Sequence, residues 1–200
     1  MALQPVDPRQ VAAVVTHLEM RAKPKLTAMS PSPLRLVRWK TPALEKYRTL
    51  FRRVGEPWLW FSRLVLPDEA VEAVIHDPAV EIYAVCDPPG IEIGLLELDF
   101  RTAPDCELAF FGLVPQLTGQ GNGRWLMAQA NMLAWRRGVE RFWVHTCTLD
   151  HPSALNFYIK SGFVPFGRAV ETFDDPRHFG VLPRDAAPHV PLLAQAVPSS

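Results

Sequence analysis

The chain has 200 residues, 48% of them apolar, with 21 basic and 21 acidic side chains and no net charge at pH 7. Such a length supports one compact domain with extended ends, and the balanced charge argues against a nucleic-acid footprint or a polybasic membrane patch. Cys86, Cys106 and Cys147 are odd in number and far apart, which fits neither a disulfide framework nor a zinc knuckle and predicts reduced thiols in a cytoplasmic protein without metal.

The first apolar run, 11–15, is too short for a spanning helix and has no basic leader, so no membrane association is expected. Residues 1–33 read as an N-terminal extension with one strand, Val14 to Met20, and a proline-rich connector, "KPKLTAMSPSP". A domain over 34–175 begins with a strand from Leu34 to Trp39. From Pro42 the period changes to 3.6, placing Leu44, Tyr47, Leu50, Phe51 and Val54 on one side of a helix that Gly55 stops. A connector, "EPWLWFSRLV", leads to a shorter helix over Asp68 to His76. Three strands follow as a meander: Ile82 to Cys86, Ile91 to Phe100 and Cys106 to Val114. A helix from Gly121 to Arg137, a strand from Arg141 to Thr148, a helix between Pro152 and Gly162 and a strand from Phe163 to Thr172 complete the domain. Residues 176–200, rich in proline, are expected to be an irregular arm or disordered.

The stretch "LTGQGNGRW" places glycines at 119, 121 and 123 before a helix. A helix start exposes unpaired N–H groups and partial positive charge, so a glycine entry suits an anion, usually phosphate. A turn that merely packs the helix tightly fits the spacing equally well. Arg124 in the first helical turn opposes the helix dipole unless an anion is present. A mononucleotide loop needs lysine and a hydroxyl residue after the last glycine, where Arg124 and Trp125 stand. A GxGxxG fingerprint needs its third glycine elsewhere.

Together, "LAFFGLVPQLTGQGNGRWLM", "VHTCTLD" and "HPSALNFYIKSGF" resemble the acetyl-CoA-binding half of the Gcn5-related N-acetyltransferase (GNAT) superfamily over about 81–172. The resemblance implies an α/β fold, with a mixed, mostly antiparallel twisted sheet, splayed central strands and helices on both faces. It implies an acetyl-CoA-dependent transfer to a primary amine, whether on a small molecule or a peptide, without a covalent enzyme intermediate. A non-catalytic acyl-CoA sensor is the alternative, and a homodimer is compatible with either.

By the same resemblance, acetyl-CoA falls on the backbone of Gly112, Leu113 and Val114. Its pyrophosphate falls on Thr118, Gly119, Gln120, Gly121, Asn122, Gly123 and Arg124, with His151 and Tyr158 alongside. Thr118 replaces the arginine or glutamine of the family's loop, and His151 replaces its asparagine. A bulge in the strand before the loop frees a backbone N–H near Gly112 and Leu113 to polarise the thioester carbonyl.

An alkyl ammonium has a pKa near 10, so transfer needs a base. Glu107 stands where the histone-acetylating branch keeps its catalytic glutamate; a solvent-facing strand glutamate is the competing reading. Glu97 reads as an exposed-face residue. His145 suits a proton relay or a plain strand position, and Tyr158 suits a proton donor to the departing thiolate or a core position. His145 and Cys147 share a strand face, which keeps a cysteine nucleophile as a rival. Trp58, Trp60, Phe61 and Arg63, in a connector, are the candidate acceptor residues, with Arg63 a candidate partner for a substrate carboxylate.

Overall fold

Seven strands make one sheet in the order β2-β3-β4-β5-β6-β1-β7. They are β1 (Gln10–Met20), β2 (Arg35–Trp39), β3 (Val80–Cys86), β4 (Glu92–Asp99), β5 (Asp105–Leu113), β6 (Arg141–Cys147) and β7 (Val164–Asp174). The helices are α1 (Leu44–Gly55), α2 (Ser62–Val65), α3 (Asp68–Ile75), α4 (Asn122–Ala134) and α5 (Ala154–Lys160). The structure is a computed structural model that describes residues 3–25, 32–117, 120–136 and 138–193. All neighbouring strands are antiparallel except β5 and β6, which are parallel. The expected α/β sheet is therefore present.

Periodicity explains α1 well. Tyr47, Leu50, Phe51 and Val54 fall at helical spacing and are all buried. They pack with α3 and one face of β3 and β4 in a cluster that includes Val71, Ile75, Ile82 and Leu95. Each such side chain contributes about 1.5–3 kcal/mol on removal from water. A second cluster, on the opposite face, joins α4 and α5 to Leu96, Leu98, Leu108 and Phe142. Strands β3 and β4 are buried on both sides, and for that reason read as continuous apolar runs rather than alternating ones.

The two chain ends depart from the sequence expectation. The strand of the N-terminal extension starts earlier, at Gln10, and occupies the sheet interior between β6 and β7, with Val15 opposite Cys147 on one side and Ala169 on the other. Val11, Ala13 and Val15 alternate inward along it, a signal that short alanines had muted. Residues 175–193 contain no helix or strand, yet Asp175, Arg177, Leu182, Ala186 and Ala187 are buried. This arm closes a third cluster over Val11, Ala13, Leu59 and Leu149, so apolar packing fixes a segment that has no regular secondary structure.

Candidate active site

Strands β5 and β6 pair only where Asp105, Cys106 and Glu107 face Arg141, Phe142 and Trp143. Beyond that point they separate, and the gap between them opens into a cavity of about 550 Å³. Arg141 closes the narrow end, donating to Glu19 at 2.6 Å and to Asp105 at 3.0 Å. A bulge bends β5 there: Glu97 faces Phe110 but Leu98 faces Leu108, which leaves Ala109 unmatched. Leu108 consequently joins one cluster while Phe110, two residues on, packs against the other. The bulge thus accounts for an alternation that gives no consistent face in the sequence. Glu107, directly before it, lines the cavity.

At the narrow end of the gap, His145 Nδ1 lies 3.5 Å from Glu107 Oε1. That carboxylate, followed by the charges of Asp150 and Glu171, overcomes burial and raises the His145 pKa above its ordinary 6.5. Tyr158 also lines the cavity. Burial pushes its phenol pKa well upward, so it stays protonated, and among the described residues its hydroxyl has no hydrogen-bond partner. Cys147 shares the cavity wall, but burial lifts its thiol to about 11, which leaves little thiolate for attack at neutral pH.

The glycine stretch enters α4 through Gly121, whose φ of 82° suits glycine and which offers no side-chain cap. Arg124 folds back over this turn: its Nη2 lies 3.5 Å from where a Cβ on Gly121 would stand. Asn122 braces the turn by donating to Leu117 O at 3.2 Å. Gly112, Leu113, Gly123 and His151 line the cavity, whereas Val114, Gln120, Gly121, Asn122 and Arg124 do not. Thr118 and Gly119 lie outside the described residues. His151 accepts the Ser153 N–H through Nδ1 at 3.2 Å, much as an asparagine cap does.

On the other wall stand Trp58, Trp60, Phe61 and Arg63, all in the cavity lining. Trp60 sits where Cβ atoms on Gly55 and Gly112 would collide with or crowd its ring; close packing thus accounts for the glycine at 112. Arg63 corrects two expectations at once. Its Nη2 donates to Glu97 Oε1 at 2.7 Å, while Tyr47 Oη donates to Glu97 Oε2 at 2.6 Å. Glu97 is 0% exposed, so it is a buried counter-ion and not an exposed-face residue. Although burial opposes its charge, Arg63 is held above its ordinary pKa by Glu97 and Tyr47, and its guanidinium is committed before any substrate arrives. Asp99 binds Arg101 in the same way, at 2.6 Å.

Sequence reading missed Glu171 and Phe173 of β7. Both line the cavity, and Phe173 meets the Phe61 ring at 4.7 Å. They lie beyond the motifs, and only the pairing of β7 with the N-terminal strand brings them here.

A model of the acetyltransferase (GNAT) family matches residues 46–163, more than half of the chain. The chain belongs to this family. Its GNAT fold is also that of solved structures, though at low identity. A GCN5-related N-acetyltransferase from Sphaerobacter thermophilus superposes with a TM-score of 0.60 at 16% identity, over 81% of this chain and 51% of that one. A tandem GNAT protein from the clavulanic acid biosynthesis pathway gives 0.53 at 17%, over 81% and 53%. A spermidine N-acetyltransferase from Vibrio cholerae, described as dodecameric, gives 0.53 at 20%, over 74% and 97%. The chain thus spans about half the length of the first two. No curated protein sequence matches it.

Membership places residues 46–163 in the acetyltransferase (GNAT) family, and the residues of the gap fit an acyl-CoA. Val114 N–H donates to Ile93 O at 2.9 Å. Alternation along an antiparallel ladder then turns the N–H of Leu113, opposite Gly94, into the open gap. The bonded Val114 N–H is therefore not a donor to a ligand, and Leu113 is the residue that presents one. At the helix start, Arg124 has no ion pair among the described residues. No described helix is long and apolar enough to cross a membrane, and no group of described residues is arranged to hold a metal.

Proposed function

We propose that this GNAT chain transfers an acetyl group directly from acetyl-CoA to a cationic primary amine. The observation that carries this reading is the Glu107–His145 pair at the narrow end of the gap, facing Tyr158 within one cavity. When bound, acetyl-CoA supplies an activated acetyl thioester. The turn at Gly121, the start of α4 and Arg124 would hold its pyrophosphate, and Leu113 N–H would stabilise the oxyanion that forms at the carbonyl.

The amine attacks as a free base, so its proton must first leave. The Glu107–His145 pair takes that proton, with neutral His145 accepting and Glu107 steadying the imidazolium. Attack on the carbonyl carbon forms the C–N bond, and collapse breaks the C–S bond. Tyr158 gives its proton to the departing thiolate and is restored from solvent.

The character of the acceptor follows from the charges in the cavity. Asp99, Glu107, Asp150 and Glu171 line it, against Arg63 and Arg101. Arg101 neutralises Asp99 and Arg63 neutralises the buried Glu97, so Glu107, Asp150 and Glu171 leave the wall an excess of negative charge that favours an incoming ammonium over a substrate carboxylate. The test is a product assay with acetyl-CoA over alkylamines, diamines and α-amino acids. Amines without a carboxylate should be acetylated with at least about tenfold higher kcat/KM. Preference for α-amino acids would refute the acceptor class, and acetyl-CoA stabilisation without any product would favour the sensor.

A further inference from the structure

The loop that walls the acceptor end, 56–65, is gripped from two sides. From α1, Arg48 donates to the carbonyl oxygens of Arg63 and Leu66 at 3.1 and 2.8 Å. From the other side comes the C-terminal arm. Leu59 is buried with Leu182, Ala186 and Ala187. The ring of Trp58 packs with two imidazoles, His151 at 5.3 Å and His189 at 5.6 Å. His189 is fixed in turn by donating from Nε2 to Leu149 O at 3.0 Å.

The arm carries its own clasp. Arg177, its side chain 1% exposed, donates to both oxygens of Asp175 at 2.9 and 2.7 Å, and to the carbonyls of Ala186 and Val190 at 3.1 and 2.8 Å. The buried guanidinium is thereby both neutralised and hydrogen-bonded, the condition under which burying it is tolerable. It draws residues 186–190 back against the end of β7, close to the Phe61–Phe173 contact.

Backbone strain marks the same junction. Among the described residues, the non-glycine positions with positive φ are Leu59 at 56° and Ala187 at 48°. Both lie in this one cluster, one on each side of the contact. A left-handed alanine or leucine is sterically strained and persists only where packing over-determines it. Two in one buried cluster indicate that loop and arm hold each other in shape.

We propose that the C-terminal arm sets the acceptor specificity of the cleft, with His189 and Arg177 as positioning residues that fix Trp58 and Phe61 in the cavity wall. The inference rests on the acetyl-transfer reading for its kinetic half only. Trp58 and Phe61 line the cavity while no residue of the arm does, so a change in the arm reaches the acceptor through the wall and leaves the helix α4 end alone.

The test is hydrogen exchange by mass spectrometry on His189→Ala, a surface position, with Arg177→Lys as a second variant. Amides of 56–65 should exchange about tenfold faster while β3, β4 and α4 keep their rates. No change, or an equal rise throughout, would overturn the proposal. The kinetic half compares methylamine, butane-1,4-diamine and benzylamine. His189→Ala should shift their KM values relative to one another and leave acetyl-CoA affinity within about twofold, and the shift should vanish in a Trp58→Ala background. Full additivity with Trp58→Ala would also overturn it. Should the unaltered protein acetylate none of the three, acetyl transfer and the specificity role fall together for these amines, while the exchange result alone decides the grip on the loop.

Discussion

Around the start of helix α4 the structure offers backbone: a left-handed glycine, an uncapped helix start and one N–H turned out of a ladder. At the acceptor end the cavity is walled by side chains from the 56–65 loop, β5 and β7, braced from behind by the Arg63–Glu97–Tyr47 contacts and the Phe61–Phe173 pair. The first end needs few particular side chains. The second has none to spare, since its arginines are occupied and its aromatic rings brace one another. An anion common to every turnover is well served by fixed dipoles, whereas discrimination among amines needs a wall whose shape can be changed residue by residue.

The contrast is sharpest at the narrow end of the gap. Glu107→Gln should lower kcat/KM by about 10²–10⁴, with acetyl-CoA binding unchanged by calorimetry. A fall in acetyl-CoA affinity instead would place Glu107 at the wrong end of the cleft.

Glu97→Ala comes next, because it leaves Arg63 buried without its counter-ion. Loss of one partner of such a pair costs about 3–5 kcal/mol, to be read from denaturant unfolding. Replacing both partners, as Arg63→Met with Glu97→Leu, should recover most of that stability. Recovery of amine discrimination as well would mean the pair does not shape the acceptor wall.

Tyr158→Phe removes only the hydroxyl and keeps the ring against Phe111 and Phe163. The rate should fall by about 10- to 100-fold at constant acetyl-CoA affinity, and an unchanged rate would leave Tyr158 a core residue. The smallest effect concerns pH. Glu107 stabilises the charged form of His145, so the rate should rise with pH through an apparent pKa above 6.5. In Glu107→Gln any residual profile should move downward, since that stabilisation is gone. By the same linkage, the His145–Glu107 contact favours folding below pH 6.5 and loses that contribution as pH climbs through the raised pKa.

What could be read in the sequence follows the same division. The helix behind "LTGQGNGRW", the 3.6 period of α1 and the strand meander are local patterns, and their elements match expectation within a few residues. Glu97 could not be read, because its apolar neighbours in "LLELDF" resemble any strand and its partners Tyr47 and Arg63 sit on other elements. Glu107 was ambiguous because a bulge at Ala109 resets the alternation that assigns faces. The packing of the irregular arm has no signature in the sequence because Arg177 organises it through carbonyl oxygens, and carbonyls leave no trace in composition.

The placement of β1 bears on how the molecule comes into being. Residues 10–20 leave the ribosome before every other strand of the sheet, yet both of their sheet neighbours, β6 and β7, come after β5 in the chain. Strand β1 must therefore wait, its hydrogen-bonding edges unpaired, until β6 and β7 have emerged. Closing it is a non-local step, the slow kind in folding. The part of the cavity wall that β7 supplies is thus completed only after β7 emerges, and a nascent chain stalled before β7 would expose β1 to pairing with other chains.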